Sequence, residues 1–279
     1  MIPAEKTDLW VGSISSSTEG MPCNQDSYAI VSLQPSSDDQ PVGTLAVVAD
    51  GILTVAGQDG KMASQLTVNA IVETFSQAES VDVQELWCQG FEAACKSITQ
   101  YSASIAEREP IGATCVAVLV VNRQLYMASL GDCRAFLLRE QRIQQISVAD
   151  SLVDRLIEQG VITYEDLRKA TVDVHGPTRW LPHDSRPDLR LRLNPNEPDE
   201  QAKAHQGMQL YKGDQVLLCS HTLYPWCVYP EDAVQLRNVL QRHNHPQKAV
   251  EELEALARQK GNPTDITILA LKMPSFLRE

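Results

Sequence analysis

The chain has 279 residues, 43 % of them hydrophobic, and sets 24 Lys and Arg against 36 Asp and Glu, a formal charge of −12 at pH 7. That balance excludes a basic groove for nucleic acid, because neutralising phosphates needs clustered cations, and the apolar content supports a packed core over disorder. The longest apolar run, Ile111 to Val121, falls short of the roughly 20 residues a membrane helix needs. Met1 to Lys6 lacks the apolar segment of a secretory signal, so no membrane association is expected and a cytoplasmic location is. The seven cysteines are odd in number, contain no C-x-x-C and lie mostly in apolar runs, as reduced core residues do.

Ser27 to Leu33 and Thr44 to Ala49 are β-like runs separated by the polar stretch Gln34 to Pro41, which predicts an antiparallel hairpin. Lys61 to Gln77 places Met62, Leu66, Val68, Ile71, Val72 and Phe75 near helical spacing, and Val83 to Glu107 repeats the pattern. Gly112 to Val121, Gln124 to Leu130 and Arg134 to Leu138 follow with short breaks and predict a three-stranded meander. Ser151 to Gln159 and Tyr164 to Lys169 predict short helices, the second opened by a Thr163 and Asp166 capping pair. Val172 to His205 is rich in Pro, Asp and Asn and predicts a long surface excursion, with one edge strand at most around Leu189 to Leu193. Gln215 to Ser220 and Ile266 to Met273 predict strands, and Pro230 to Arg242 and Pro246 to Lys260 predict helices. Strands in runs with helices grouped between them predict an α+β layer fold, with both long helices outside stacked sheets.

Three carboxylates mark strand boundaries: Asp26 opens a strand, Asp50 with Gly51 closes one, and Asp132 follows Gly131. A carboxylate projecting from a rigid strand end, with a glycine that lets a carbonyl approach, suits a hard cation. Taken singly, an Asp-Gly is better explained by turn chemistry, whereas two strand-end carboxylates in neighbouring strands point beyond it.

The ordered series Asn24-Gln-Asp26-Ser27, Val48-Ala-Asp50-Gly51, Gly60-Lys-Met-Ala-Ser64, Gly112-Ala-Thr114, Gly131-Asp-Cys-Arg134, Asp150 to Thr163, Gly213 to Ser220 and Asp265-Ile-Thr267 resembles the PPM (type 2C) metal-dependent serine/threonine phosphatases of bacterial type. The resemblance runs from about Val11 to Lys272. It implies a single domain over 1–279, with two antiparallel sheets stacked between helix pairs as an αββα sandwich. It also implies a binuclear Mg or Mn site that activates a bridging water, with an Arg holding the substrate phosphate.

Position by position, the resemblance implies ligand roles for Asp26, Asp50, the Gly51 carbonyl and Asp132, the last for a weaker third ion. The bridging aspartate of the family falls at His221, and the terminal ligand falls at Thr264, with the carboxylate displaced to Asp265. In a strand such a shift turns a side chain to the opposite face. Gly20 to Cys23, where the phosphate-binding Arg belongs, has no Arg or Lys, and apolar Ile52 and Leu53 stand where the family has an open polar loop. His221 is either a replacement ligand or a histidine holding a loop by hydrogen bonds, the second reading being favoured. Tyr224 and Trp226 are either core or, with Ile52 and Leu53, a docking surface for a protein.

The expectation is a pseudophosphatase: a binding module in serine/threonine phosphorylation signalling with at most one Mg or Mn ion and no full two-metal site. Its partner is a protein, a phosphoprotein or a kinase, and neither nucleic acid nor membrane. The alternative is a divergent Mn/Mg-dependent phosphoserine and phosphothreonine phosphatase with a reduced site.

Overall fold

A computed structural model describes residues 9–18, 23–33, 43–52, 59–78, 82–104, 111–163, 165–166, 176–182, 187–194, 197–198, 201, 207–223, 230–262 and 264–274. In chain order the elements are β1 (Trp10–Ser16), β2 (Ser27–Leu33), β3 (Gly43–Ile52), α1 (Asp59–Ser76), α2 (Val83–Ser104), β4 (Gly112–Val121), β5 (Gln124–Leu130), β6 (Arg134–Arg139) and β7 (Arg142–Gln145). Then come α3 (Leu152–Glu158), β8 (Met208–Gln209), β9 (Gln215–Cys219), a 3₁₀ turn (His221–Leu223), α4 (Pro230–Arg242), α5 (Pro246–Gln259) and β10 (Ile266–Lys272).

Alternation along the strands builds three apolar layers. Leu45, Val47 and Ala49 of β3, with Cys115, Ala117 and Leu119 of β4, meet Ile71, Trp87, Phe91 and Ile98 of α1 and α2. Their sequence neighbours Ala46, Val48, Val116, Val118 and Val120 face the other way, onto Ala135, Leu137, Val216, Leu218, Leu269 and Leu271 of β6, β9 and β10. The outer face of that second sheet carries Phe136, Leu217, Ile266, Ile268 and Ala270 against Leu236, Leu240, Val250 and Leu253 of α4 and α5. Strands buried on both faces read as unbroken apolar runs, which is why β3 and β4 show no polar alternation. The result is an αββα sandwich of two five-stranded antiparallel sheets, ordered β2-β3-β4-β5-β8 and β1-β10-β9-β6-β7.

The predicted hairpin is present, with Ser27 opposite Ala49 and Leu33 opposite Gly43. The predicted meander breaks after its second strand. β4 pairs with β5, but β6 crosses to the opposite sheet and pairs with β7 and β9. The crossing is made at Gly131, whose φ of +96° few side chains tolerate and whose missing Cβ would meet Thr114 at 2.4 Å. The predicted edge strand in the excursion reduces to one bridge, Arg190 opposite Ser129. The capping pair forms, Asp166 accepting from the Thr163 amide and hydroxyl, although most of the helix predicted there lies outside the described residues. Cys95, Cys115, Cys133 and Cys219 are buried as free thiols, whereas Cys88 is exposed on α2 and departs from the core reading; Cys227 lies outside the described residues. Among the described residues no helix is long and apolar enough to cross a membrane.

Candidate functional site

Both sheets deliver polar side chains to one end of the sandwich. Asp50 continues the inward-facing series Ala46, Val48 of β3, and Thr114 sits opposite it on β4. Asp132 follows the Gly131 crossover, Ser220 and His221 follow β9, and Thr267 lies in β10. Asp26 precedes β2 and is almost fully buried.

The chain fixes this end through hydrogen bonds from α1. The Ser64 hydroxyl donates to the Gln25 carbonyl, the Lys61 amide donates to Gln25 Oε1, and the Lys61 ammonium reaches the Asp26 carbonyl and the Ser27 hydroxyl. Gly51 is required by close approach: a Cβ there would lie 2.1 Å from the Gly60 carbonyl oxygen and 2.8 Å from that of Gln25. The start of α1 therefore rests directly on the strand end that carries Asp50.

His221 closes onto Asp50. Its ring Nδ1 pairs with Asp50 Oδ2, and its backbone amide donates to the same oxygen at 3.3 Å. Desolvation opposes a charged imidazole, but Asp50, with smaller contributions from Asp132 and Asp26, outweighs it and carries the His221 pKa up to about 10. Burial likewise opposes ionisation of Asp50, yet the charge and hydrogen bonds of His221 hold its pKa below the ordinary value.

Asp26 is in the opposite condition. Among the described residues neither of its carboxylate oxygens has a hydrogen-bond partner in good geometry. Burial first, and then the Asp50 charge, push its pKa well above the ordinary range, while nearby Thr267, His221 and Ser220 only partly offset the rise. Burial also raises the pKa of Asp132, with Asp50 adding to the rise and His221, Thr114 and Arg134 opposing it. Burial and the neighbouring charges thus favour the protonated form of Asp26, and the carboxylates around His221 favour its charged form.

Thr264 and Asp265 take no part in the cluster. Thr264 donates through its amide and hydroxyl to Asn262 Oδ1. Asp265 accepts from the Thr18 amide at 2.7 Å, the Thr18 hydroxyl at 3.0 Å and the Gln25 amide at 2.6 Å, so its carboxylate pins the two segments that lead to Asp26. The strand-face argument does not reach these residues, because β10 begins only at Ile266. What removes Asp265 is its three hydrogen bonds.

Two divalent cations need a shared set of oxygen ligands. Among the described residues no group of three or more His, Cys, Asp or Glu is placed to hold a metal ion. Asp50 is occupied by an imidazole, and Asp265 by backbone amides. Asp26, by contrast, has no well-formed hydrogen bond to either oxygen among the described residues. Ile52 ends β3 half-buried, while Leu53, Tyr224, Trp226 and the segment from Gly20 to Pro22 lie outside the described residues.

Sequence reasoning overlooked Lys61 and Gln25 as the frame of Asp26, although both lie inside motifs that it singled out. It also overlooked Arg179 and Arg190. Arg179 Nη1 and Arg190 Nη2 each lie 3.2 Å from the buried Asp150 carboxylate, whose amide donates to the Gly131 carbonyl at 2.8 Å. Asp150 opens a motif and Arg190 lies in the Leu189 to Leu193 alternation, but neither pattern signals that the two meet.

The family model for protein phosphatase 2C matches residues 15–159, just over half of the chain. The serine/threonine protein phosphatase PstP of Mycobacterium tuberculosis is 27 % identical over 238 residues, 83 % of this chain and 41 % of that protein. The serine/threonine phosphatase stp of Listeria monocytogenes is 29 % identical over 135 residues, 47 % of this chain and 52 % of its own. The chain thus spans about two fifths to half of the length of the relatives it matches. The crystal structure of the PstP catalytic domain, in complex with 2 manganese ions, superposes with a TM-score of 0.73 at 23 % identity, covering 95 % of this chain and 98 % of that one, and shows the shared fold. With the ordered motifs, the two-sheet sandwich and the family match in agreement, the chain belongs to the PPM-type protein phosphatase 2C family.

Proposed function

We propose that this chain is a pseudophosphatase: one PPM-type domain in the cytoplasm that binds a protein partner, a phosphoprotein or a kinase, in serine/threonine phosphorylation signalling without hydrolysing phosphoester. The observation that carries the reading is the seat of His221 on Asp50. An imidazole there cannot bridge two cations, and it takes up the carboxylate that would share them. The hydrogen bonds that hold Asp265 away from the cluster support the same reading. Ile52, Leu53, Tyr224 and Trp226 are the proposed partner-binding residues. The test is hydrolysis of p-nitrophenyl phosphate and a phosphothreonine peptide with millimolar Mn or Mg. Rates at the no-enzyme background are expected, and robust metal-dependent turnover overturns the reading.

A second reading has its own support. The two unengaged, buried oxygens of Asp26 suit one Mg or Mn ion, and the relatives matched are named phosphatases. On this reading the chain is a divergent phosphatase with a reduced site, and the turnover is lost in Asp26→Asn. The same assay separates the two.

A further inference from the structure

Outside the acid cluster, the least expected charge arrangement is the pair of arginines on Asp150. Three segments without regular structure are tied to the sandwich end beside the Gly131 crossover. The Asp150 amide donates to the Gly131 carbonyl, Leu181 and Ala113 exchange backbone hydrogen bonds, and Arg190 and Ser129 do the same. Thr178 adds its amide and hydroxyl to the Asp150 carbonyl at 2.7 and 3.0 Å. These ties hold Arg179 and Arg190 side by side.

The buried Asp150 carboxylate supplies one negative charge to two guanidiniums. Its Oδ2 takes Arg179 Nη1, and its Oδ1 takes Arg190 Nη2 and, at 3.4 Å, Nε. A second negative charge comes from outside, from Asp188, whose side chain is 79 % exposed. Its Oδ2 lies 3.2 Å from Arg179 Nη2 and 4.0 Å from Arg190 Nη1, so one surface carboxylate oxygen faces both forks. The Arg179 Nη2 also donates to the Asp188 backbone carbonyl, a bond that does not depend on the carboxylate. An exposed ion pair contributes little. A phosphomonoester brings close to two charges and three acceptor oxygens to a geometry that guanidiniums recognise.

We propose that Arg179 and Arg190, held by Asp150, form a phosphate-recognition site in which the Asp188 carboxylate stands in for the ligand, and that a phosphorylated side chain of a partner displaces it. The proposal deepens the reading above and rests on it for the kind of partner. The site lies beside the acid cluster, not in it, and binding there breaks no bond.

The test follows the Nε–Hε resonances of Arg179 and Arg190 in the whole chain. The probes are N-acetyl-O-phosphothreonine amide, its unphosphorylated counterpart and inorganic phosphate. Phosphothreonine is expected to shift both resonances saturably, and the unphosphorylated compound to leave them in place. Asp188→Asn, a surface change, is expected to tighten binding about fivefold by removing one charge at contact distance. Arg179→Gln is expected to weaken it at least about tenfold by removing a charge-assisted fork. Equal binding of inorganic phosphate supports the site and assigns it to the free ion; preference for phosphothreonine supports it and assigns it to a protein. No saturable shift in either the natural chain or Asp188→Asn overturns the proposal, as does binding that neither substitution changes. Metal-dependent turnover would overturn the pseudophosphatase reading and leave these outcomes untouched, so the two failures are distinguishable.

Discussion

Two buried carboxylates, Asp50 and Asp150, stand near the same end of the sandwich and are answered by different cations. Asp50 meets one imidazole, a group whose charge depends on its surroundings. Asp150 meets two guanidiniums, which stay charged at any physiological pH. In the first cluster the shifts favour a charged His221 and a protonated Asp26. In the second, two fixed positive charges share one buried carboxylate, and the exposed Asp188 lies within 4.0 Å of both. At the acid end a carboxylate is paired with an imidazole, and at the adjoining end a carboxylate gathers two guanidiniums.

The comparison breaks most sharply at Asp150. Asp150→Ala leaves two partly buried guanidiniums without their shared partner and is expected to cost about 3 kcal/mol, read by urea denaturation. A change below about 1 kcal/mol would mean that the pair is not held by this carboxylate.

The next effect concerns pH. The His221 pKa in the folded chain, about 10, stands above the 6.5 of a free imidazole. The stabilisation from this pair is therefore complete below about pH 6.5 and is lost as pH rises through about 10. An NMR titration of the ring should show the high midpoint, and Asp50→Asn should lower it. A midpoint near the free value in the natural chain would remove the ion pair from the account.

The smallest effect is expected at Asp26. If its carboxyl keeps a proton, Asp26→Asn replaces one neutral group by another of the same shape, and stability should move by less than about 1 kcal/mol at neutral pH. A large change, or one that depends on added Mn, would favour an ionised Asp26 holding a cation.

Much of this was legible in the sequence, and the exceptions have physical causes. β2, β4, β5 and α4 stand where periodicity and turn residues put them, because their apolar runs end at Gly, Asn or Pro. β1 was not legible: Trp10-Val-Gly-Ser-Ile-Ser-Ser16 is broken by small polar residues, and its place is set by β10 and α5, far along the chain. β7 is a polar edge with Ile143 as its one aliphatic residue. The crossover at Gly131 looked like a hairpin turn, since a positive φ serves both. Within the site, motif order was enough to bring Asp26, Asp50, Asp132 and His221 together, but not to show that His221 would pair with Asp50. The arginine cluster was hidden because Asp150, Arg179, Asp188 and Arg190 come from irregular segments whose meeting depends on backbone bonds to Ala113, Ser129 and Gly131.

The most direct test of the closed acid end is a Mn titration of the natural chain and of His221→Asp, with free Mn followed by electron paramagnetic resonance. The account predicts that the natural chain leaves a second equivalent of Mn free, and that restoring a carboxylate at His221 increases the uptake. Two equivalents bound tightly by the natural chain would contradict it.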